Sequence, residues 1–134
     1  MGSTKNVLRS FQAFGTGATV SGSLGADVNG PATDISWLDN ISVQINCGAG
    51  ATGEFFIQGS NVPTHSALPG PASTDWVTIP LVDETGAALT LAVTGTATNF
   101  LCNLQRLAFT YLRVFYDFTS GTGTANAYVT GKAI

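Results

Sequence analysis

Few residues of this 134-residue chain could do chemistry: one His, two Cys, eight Asp/Glu and five Lys/Arg. A histidine acting as general base needs an orienting carboxylate and a nucleophile within reach. His65 has only Thr64 and Ser66 beside it in a proline-rich stretch, and no Gly-x-Ser-x-Gly elbow occurs anywhere. One His and two widely spaced Cys do not make a structural zinc site. Asp27, Asp34 and Asp39 lie in one region but lack the alternating spacing of a calcium loop, and are expected to be solvated loop acids. No pair of carboxylates is marked out for glycoside hydrolysis. The glycine clusters flank apolar alternating runs and do not open helices, so they are not phosphate loops. These residues predict a non-enzyme with no cofactor and no metal.

Cys47 and Cys102 leave two readings open, a disulfide between strands or two buried thiols acting as small hydrophobes. Met1–Lys5 lacks the apolar core of an export signal, which favours the thiols. An immunoglobulin-type pair would want a Trp soon after the first Cys, and the next one here is Trp76. Net charge is −3, with Lys5, Arg9, Arg106, Arg113 and Lys132 scattered, so no phosphate-tracking surface is expected and nucleic acid is not a predicted partner. No run approaches the roughly 20 apolar residues of a membrane-spanning helix, and no membrane partner is predicted.

The aromatic residues carry the remaining chemistry. Trp37, Trp76, Tyr111, Phe115 and Tyr128 could stack on sugar rings from a sheet face or loop. Trp37, Trp76 and Tyr128 are the candidates for that role. Core packing is the competing reading for each, because such side chains bury large apolar areas.

The elements that must position these residues follow from composition and period. Eighteen threonines and sixteen glycines mark a chain of β-branched residues and turn formers. Residues 5–16 set Val7, Leu8, Phe11 and Phe14 at spacings that suit one helical face, but glycines follow at once, and twelve residues make a marginal helix. An apolar arm over residues 1–17 is the simpler expectation, with Val7, Leu8, Phe11 and Phe14 lying against the chain's own domain or a neighbouring subunit.

From residue 18 the period is two. Strands are expected over 18–24, 35–47, 54–60, 76–81, 89–94, 99–105, 110–118 and 124–129, with a bend or bulge at Asp39-Asn40. The Gly-rich links at 48–53 and 120–123 predict hairpins, and Pro80 demotes its segment to an edge or a strand end. Residues 61–74 break the pattern as the longest loop. The strand at 110–118 is bulky on both faces, which predicts a central position with one face in the core and the other covered. About eight strands at this spacing give an all-β, antiparallel two-sheet β-sandwich of jelly-roll or Greek-key type, occupying 18–134 as one domain.

The succession Glu54–Asn61 (EFFIQGSN), Trp76-Val77-Thr78-Ile79, Tyr111-Leu112-Arg113-Val114 and Ser120–Thr124 (SGTGT) resembles small β-sandwich virion proteins of tailed bacteriophages, over about residues 41–131. That resemblance implies a capsid decoration (cement) protein or a small tail or fibre component. Such a protein would be a homo-oligomer, bound to the major capsid protein or other virion proteins and assembled in the host cytoplasm. Discoidin-like carbohydrate-binding sandwiches share the pattern of strand, Trp and arginine-bearing strand. They imply the alternative, a carbohydrate- or receptor-binding module of a phage tail or fibre. Neither resemblance carries over a binding residue.

Overall fold

Alternation of apolar and polar residues builds the strands, and the computed structural model describes residues 8–14, 22–62, 73–83, 85–104 and 109–133. Ten strands follow in order: β1 (Leu8–Phe14), β2 (Val28–Asn29), β3 (Thr33–Asp34), β4 (Leu38–Cys47), β5 (Ala51–Ser60), β6 (Val77–Thr78), β7 (Leu91–Thr94), β8 (Thr98–Leu104), β9 (Tyr111–Gly121) and β10 (Ala125–Ala133). Among the described residues the only helical element is the 3-10 turn Ser73–Asp75. The strands form two antiparallel sheets, one of order β1-β10-β4-β8 and one of order β2-β9-β5-β6. In the second sheet β3 joins β2 in pairing with β9, and β7 joins β6 in pairing with β5. Taking β2 with β3 and β6 with β7 as interrupted strands, the pairings nest: first with last, then inward to β5 with β6 and β7. The all-β antiparallel sandwich expected from the sequence is the fold observed.

The core is the inner face of both sheets. Ile41, Val43, Ile45 and Cys47 of β4 are buried, as are Phe55 and Ile57 of β5 and Leu112, Val114 and Tyr116 of β9. The alternation that predicts β4 and β9 is thus the alternation of core and outer face. At the start of β4, Asn40 has φ 51° and the register with β10 shifts between Thr130 and Lys132, so the expected bulge is present. The Asp39 side chain accepts a hydrogen bond from the Asn40 N–H, which supports this conformation.

Two expectations are corrected. The Gly-rich links at 48–53 and 120–123 are not hairpin turns. β4 and β5 lie in different sheets, as do β9 and β10, so each link is an arch across the core. The physical reason is that two alternating strands joined by a short flexible turn bury an apolar face equally well side by side or across a sandwich. The second correction is that β5 starts at Ala51, so Gly53, read as linker, is part of the strand. It is glycine there because a side chain would run into the Tyr116 ring, which packs across it.

The arches meet at one end of the sandwich and are stitched backbone to backbone. Gly48 donates to Thr124 at 2.9 Å, Gly50 to Gly95 at 3.0 Å, and Gly95 back to Ala51 at 2.8 Å. Leu24 donates to Gly123 at 3.0 Å, just beyond the bridge between Ser23 and Thr124. Gly50, at φ 108°, sits where a Cβ would run into the Thr122 carbonyl. Only glycine satisfies both the dihedral and the close approach.

The residues read as an apolar arm lie partly in this fold. Val7 is outside the described residues, while Leu8–Phe14 forms β1, antiparallel to β10. Leu8 registers with Lys132, whereas Phe11 and Phe14 register with Val129 and Ala127, both buried positions. The strand expected at 76–81 shortens to Val77–Thr78 at the sheet edge, upstream of Pro80.

Candidate functional site

β5 and β9 are central neighbours, so their outward residues form the middle of the larger sheet's outer face. Register places Glu54 opposite Asp117, Phe56 opposite Phe115, Gln58 opposite Arg113 and Ser60 opposite Tyr111. The Phe56 and Phe115 rings stack with centroids 6.2 Å apart and 25° between planes. Arg113 donates from Nε to Gln58 Oε1 at 2.7 Å, and Gln58 in turn donates from Nε2 to Thr78 Oγ1 at 3.2 Å. The 3-10 turn leads directly to Trp76, which covers the guanidinium with Arg113 Cζ 4.7 Å from the ring centroid. Phe115 flanks it at 6.0 Å.

Arg113 is therefore only 9% exposed on a nominally outer face, as the bulk on both faces of β9 predicts. Its burial pulls the guanidinium pKa below the ordinary value, because the charged form loses hydration. No carboxylate pairs with it among the described residues. Sequence inspection misses Arg113 and Gln58 as a pair, since 55 positions separate them. The one signal was an arginine between bulky residues on a central strand.

The other aromatic candidates are elsewhere. Tyr128 stands on β10 opposite Gln44 of β4 and Gln12 of β1, on the outer face of the other sheet. Trp37 is 41% exposed in the turn between β3 and β4, with its indole N–H donated to the Asp34 carbonyl at 3.0 Å. The structure thus does not bring Trp37, Trp76 and Tyr128 into one site. Tyr111 and Phe115 do share the face of Trp76.

Around Tyr128 the outer face is amides and hydroxyls. Asn46 registers with Asn99 and Asn126, and Ser42 with Asn103 and Thr130. Leu101, 68% exposed on β8, interrupts them. β8 is an edge strand, and beside it runs a groove of about 740 Å³ lined by Ile79, Leu81, Leu89, Leu101 and Leu104 among others. The far wall is formed by residues 79–83 and Leu89, with Val82 and Ala88 joined by a β-bridge.

The remaining chemical candidates have local roles. His65 lies outside the described residues. Asp27 accepts from the Phe118 N–H at 2.8 Å, and Asp34 accepts from the Ser36 N–H and hydroxyl at 2.9 and 2.6 Å. Among the described residues no three His, Cys, Asp or Glu come together. Cys47 and Cys102 are buried free thiols, and burial pushes both pKa values up. In register Cys47 faces Thr98 and Cys102 faces Val43. That is a four-residue offset, roughly 13 Å along the strand, which no disulfide spans.

No protein-family model matches the chain, and no curated protein matches it. Among solved structures the fold is similar to the SPBc2 prophage-derived protein YomS, at 12% identity and TM-score 0.50, over 93% of this chain and 94% of that one. The K1 cleaved adhesin domain of Lys-gingipain from Porphyromonas gingivalis is similar at 17% identity and TM-score 0.45, over 93% of this chain and 73% of that one. What this chain shares with the prophage-derived protein is the β-sandwich fold.

Proposed function

We propose that this chain is a non-enzymatic structural protein of a bacteriophage virion, a capsid decoration (cement) protein that reinforces the shell through protein–protein contacts. The observation that carries the reading is the winding of the strands together with the fold's likeness to a prophage-derived protein. Nested pairing, first strand with last, is the order of a jelly roll, an architecture used by viral capsid and lectin domains. The β8 edge, beside a groove that mixes Ile79, Leu81, Leu89 and Leu101 with Asp83 and Asn103, supports an assembling molecule. On this reading the protein works in the virion as a homo-oligomer and binds the major capsid protein or another virion protein.

Mass in solution, by light scattering over about a hundredfold range of concentration, tests the self-associating part of this reading. A dimer or trimer that dissociates on dilution is the expected outcome. Deleting residues 1–14 takes β1 from the edge of the smaller sheet and should stop assembly, with a thermal melt reporting whether the rest stays folded. A monomer at every concentration overturns the self-association. Assembly by the truncated chain overturns the expected partner contact of Val7, Leu8, Phe11 and Phe14.

A second reading, a carbohydrate- or receptor-binding module of a tail or fibre, is favoured by the aromatic and arginine face of the larger sheet.

A further inference from the structure

We propose that Arg113, covered by Trp76 and flanked by Phe115, anchors a binding site for a carboxylate-bearing sugar, a uronic or sialic acid unit. The site rests on the face favoured by the second reading, and it holds wherever the protein resides.

An arginine carries five N–H donors in a planar fork, and its guanidinium is costly to bury without partners. Here the single hydrogen bond among the described residues takes Nε, and the two terminal nitrogens have no acceptor among those residues. Gln58 is fixed from the other side by Thr78, so the fork is held in one orientation before any ligand arrives. Asp34, the acid nearest in register through Tyr111, spends its carboxylate on Ser36. Burial, with no countercharge beside it among the described residues, also explains why the pKa of Arg113 is depressed rather than raised.

The chemistry of the ligand follows from the surroundings. A fork with free terminal nitrogens matches a carboxylate through two parallel hydrogen bonds. Glu54 and Asp117 face each other farther along the same two strands, and the chain carries a net charge of −3. That field tolerates a single negative charge better than the two of a phosphate monoester. The Phe56–Phe115 stack and Trp76 offer flat apolar surface beside the cation, suited to the C–H face of a pyranose ring. Tyr111, Thr78 and Gln58 add neutral hydrogen-bonding groups at the margin.

The experiment is an NMR titration of the full chain with glucuronate, N-acetylneuraminate, glucose, acetate, inorganic phosphate and a short glutamate peptide. The indole resonances, assigned with Trp37→Phe, are followed together with the Arg113 Nε–H. The sugar acids should shift Trp76 and Arg113 saturably while leaving Trp37 and Tyr128 in place. Glucose should bind at least about tenfold more weakly, for want of the charge-assisted pair. Arg113→Lys, which keeps the charge but loses the fork, should weaken the acids and leave glucose unchanged. Trp76→Phe should weaken both, and thermal melts establish that each variant is folded. Equal response to glucose, a tighter response to phosphate or to the glutamate peptide, or no saturable shift from either sugar acid overturns the proposal.

Discussion

The two outer faces of the sandwich meet solvent in opposite ways. On the larger sheet, long side chains from β5 and β9 lie over one another, so that an arginine becomes nearly buried and aromatic rings stack beside it. On the smaller sheet, amides and hydroxyls stand side by side around Tyr128, and among the described residues β8 pairs on one side alone, with β4. One face concentrates at a point a charge with no countercharge among the described residues. The other leaves a row of backbone groups along a line. A point of charge suits a small ligand, whereas a line of backbone donors and acceptors suits another chain. A single fold can therefore keep two recognition surfaces whose chemistries do not compete.

The strongest way to break that contrast is to separate the sheets. Gly50→Ala places a Cβ against the Thr122 carbonyl and forces φ 108° on a residue that disfavours it. A loss of about 2 kcal/mol or more in denaturant unfolding is expected. Gly86→Ala is the control, at φ 86° in open space, and should cost only about 1 kcal/mol.

Next in size is the support of the charged point. Gln58→Ala removes the acceptor of the Arg113 fork among the described residues and should destabilise the protein by about 1.5 kcal/mol, the scale of a hydrogen bond to a charged group. Arg113→Met should cost less than Gln58→Ala, since it removes the buried charge instead of leaving that charge without its acceptor. If Arg113→Met proves the costlier of the two, the arginine is there for stability, and the contrast between the faces loses its meaning.

Tyr116 sharpens the comparison from beneath. It is 0% exposed, and its hydroxyl has no hydrogen-bond partner among the described residues. Burial, with the nearby Cys47 and Asp117 adding to it, raises its pKa. Tyr116→Phe should raise stability by about 1 kcal/mol, through removal of a desolvated donor. An unchanged or lower melting temperature contradicts this.

On the smaller sheet, Leu101→Lys should change stability by less than about 0.5 kcal/mol, because the side chain is exposed. It should still abolish concentration-dependent mass in light scattering, since a lysine on an edge opposes strand addition. The smallest effect is a titration. Asp83 accepts from Thr85 Oγ1 at 2.6 Å, the Thr85 N–H at 2.8 Å and the Ala87 N–H at 3.1 Å, and these bonds hold its pKa below the ordinary value. With a folded pKa depressed, the contribution of this turn is present above the unfolded carboxyl value near 3.9 and is lost as pH falls through the lower folded value. Amide shifts of Thr85 and Ala87 should move only in that acidic range, leaving both faces unaffected.

The sequence made β4, β5, β8, β9 and β10 legible, but it missed β1, β2 and β3 and hid which strands are neighbours. β4 and β9 could be placed because Ile41, Val43 and Ile45, or Leu112, Val114 and Tyr116, repeat every second residue, and that period is a property of one segment. An arch and a hairpin leave the same local trace, so the partners of β4 and β10 could not be read from Gly48–Gly53 or Ser120–Gly123. The candidate site suffered from the same blindness. Trp76 was recognisable as an aromatic that could bind, but its place over Arg113 depends on β6 reaching across to β5. Gly53 looked like a turn former because the Tyr116 ring that requires it lies in another strand.

The nested strand pairing also governs how the molecule comes together in time. No two long strands that follow each other directly are partners, and β5 meets β6 only after the excursion at 61–76. Most sheet pairing must therefore close large loops before it is rewarded, and that topology belongs to the slow class, with refolding on the order of milliseconds to seconds. During that interval β8 has neither β4 nor the groove wall beside it. The conditions for clean refolding are accordingly dilute ones, and the first aggregates to form should carry β8 at their contacts.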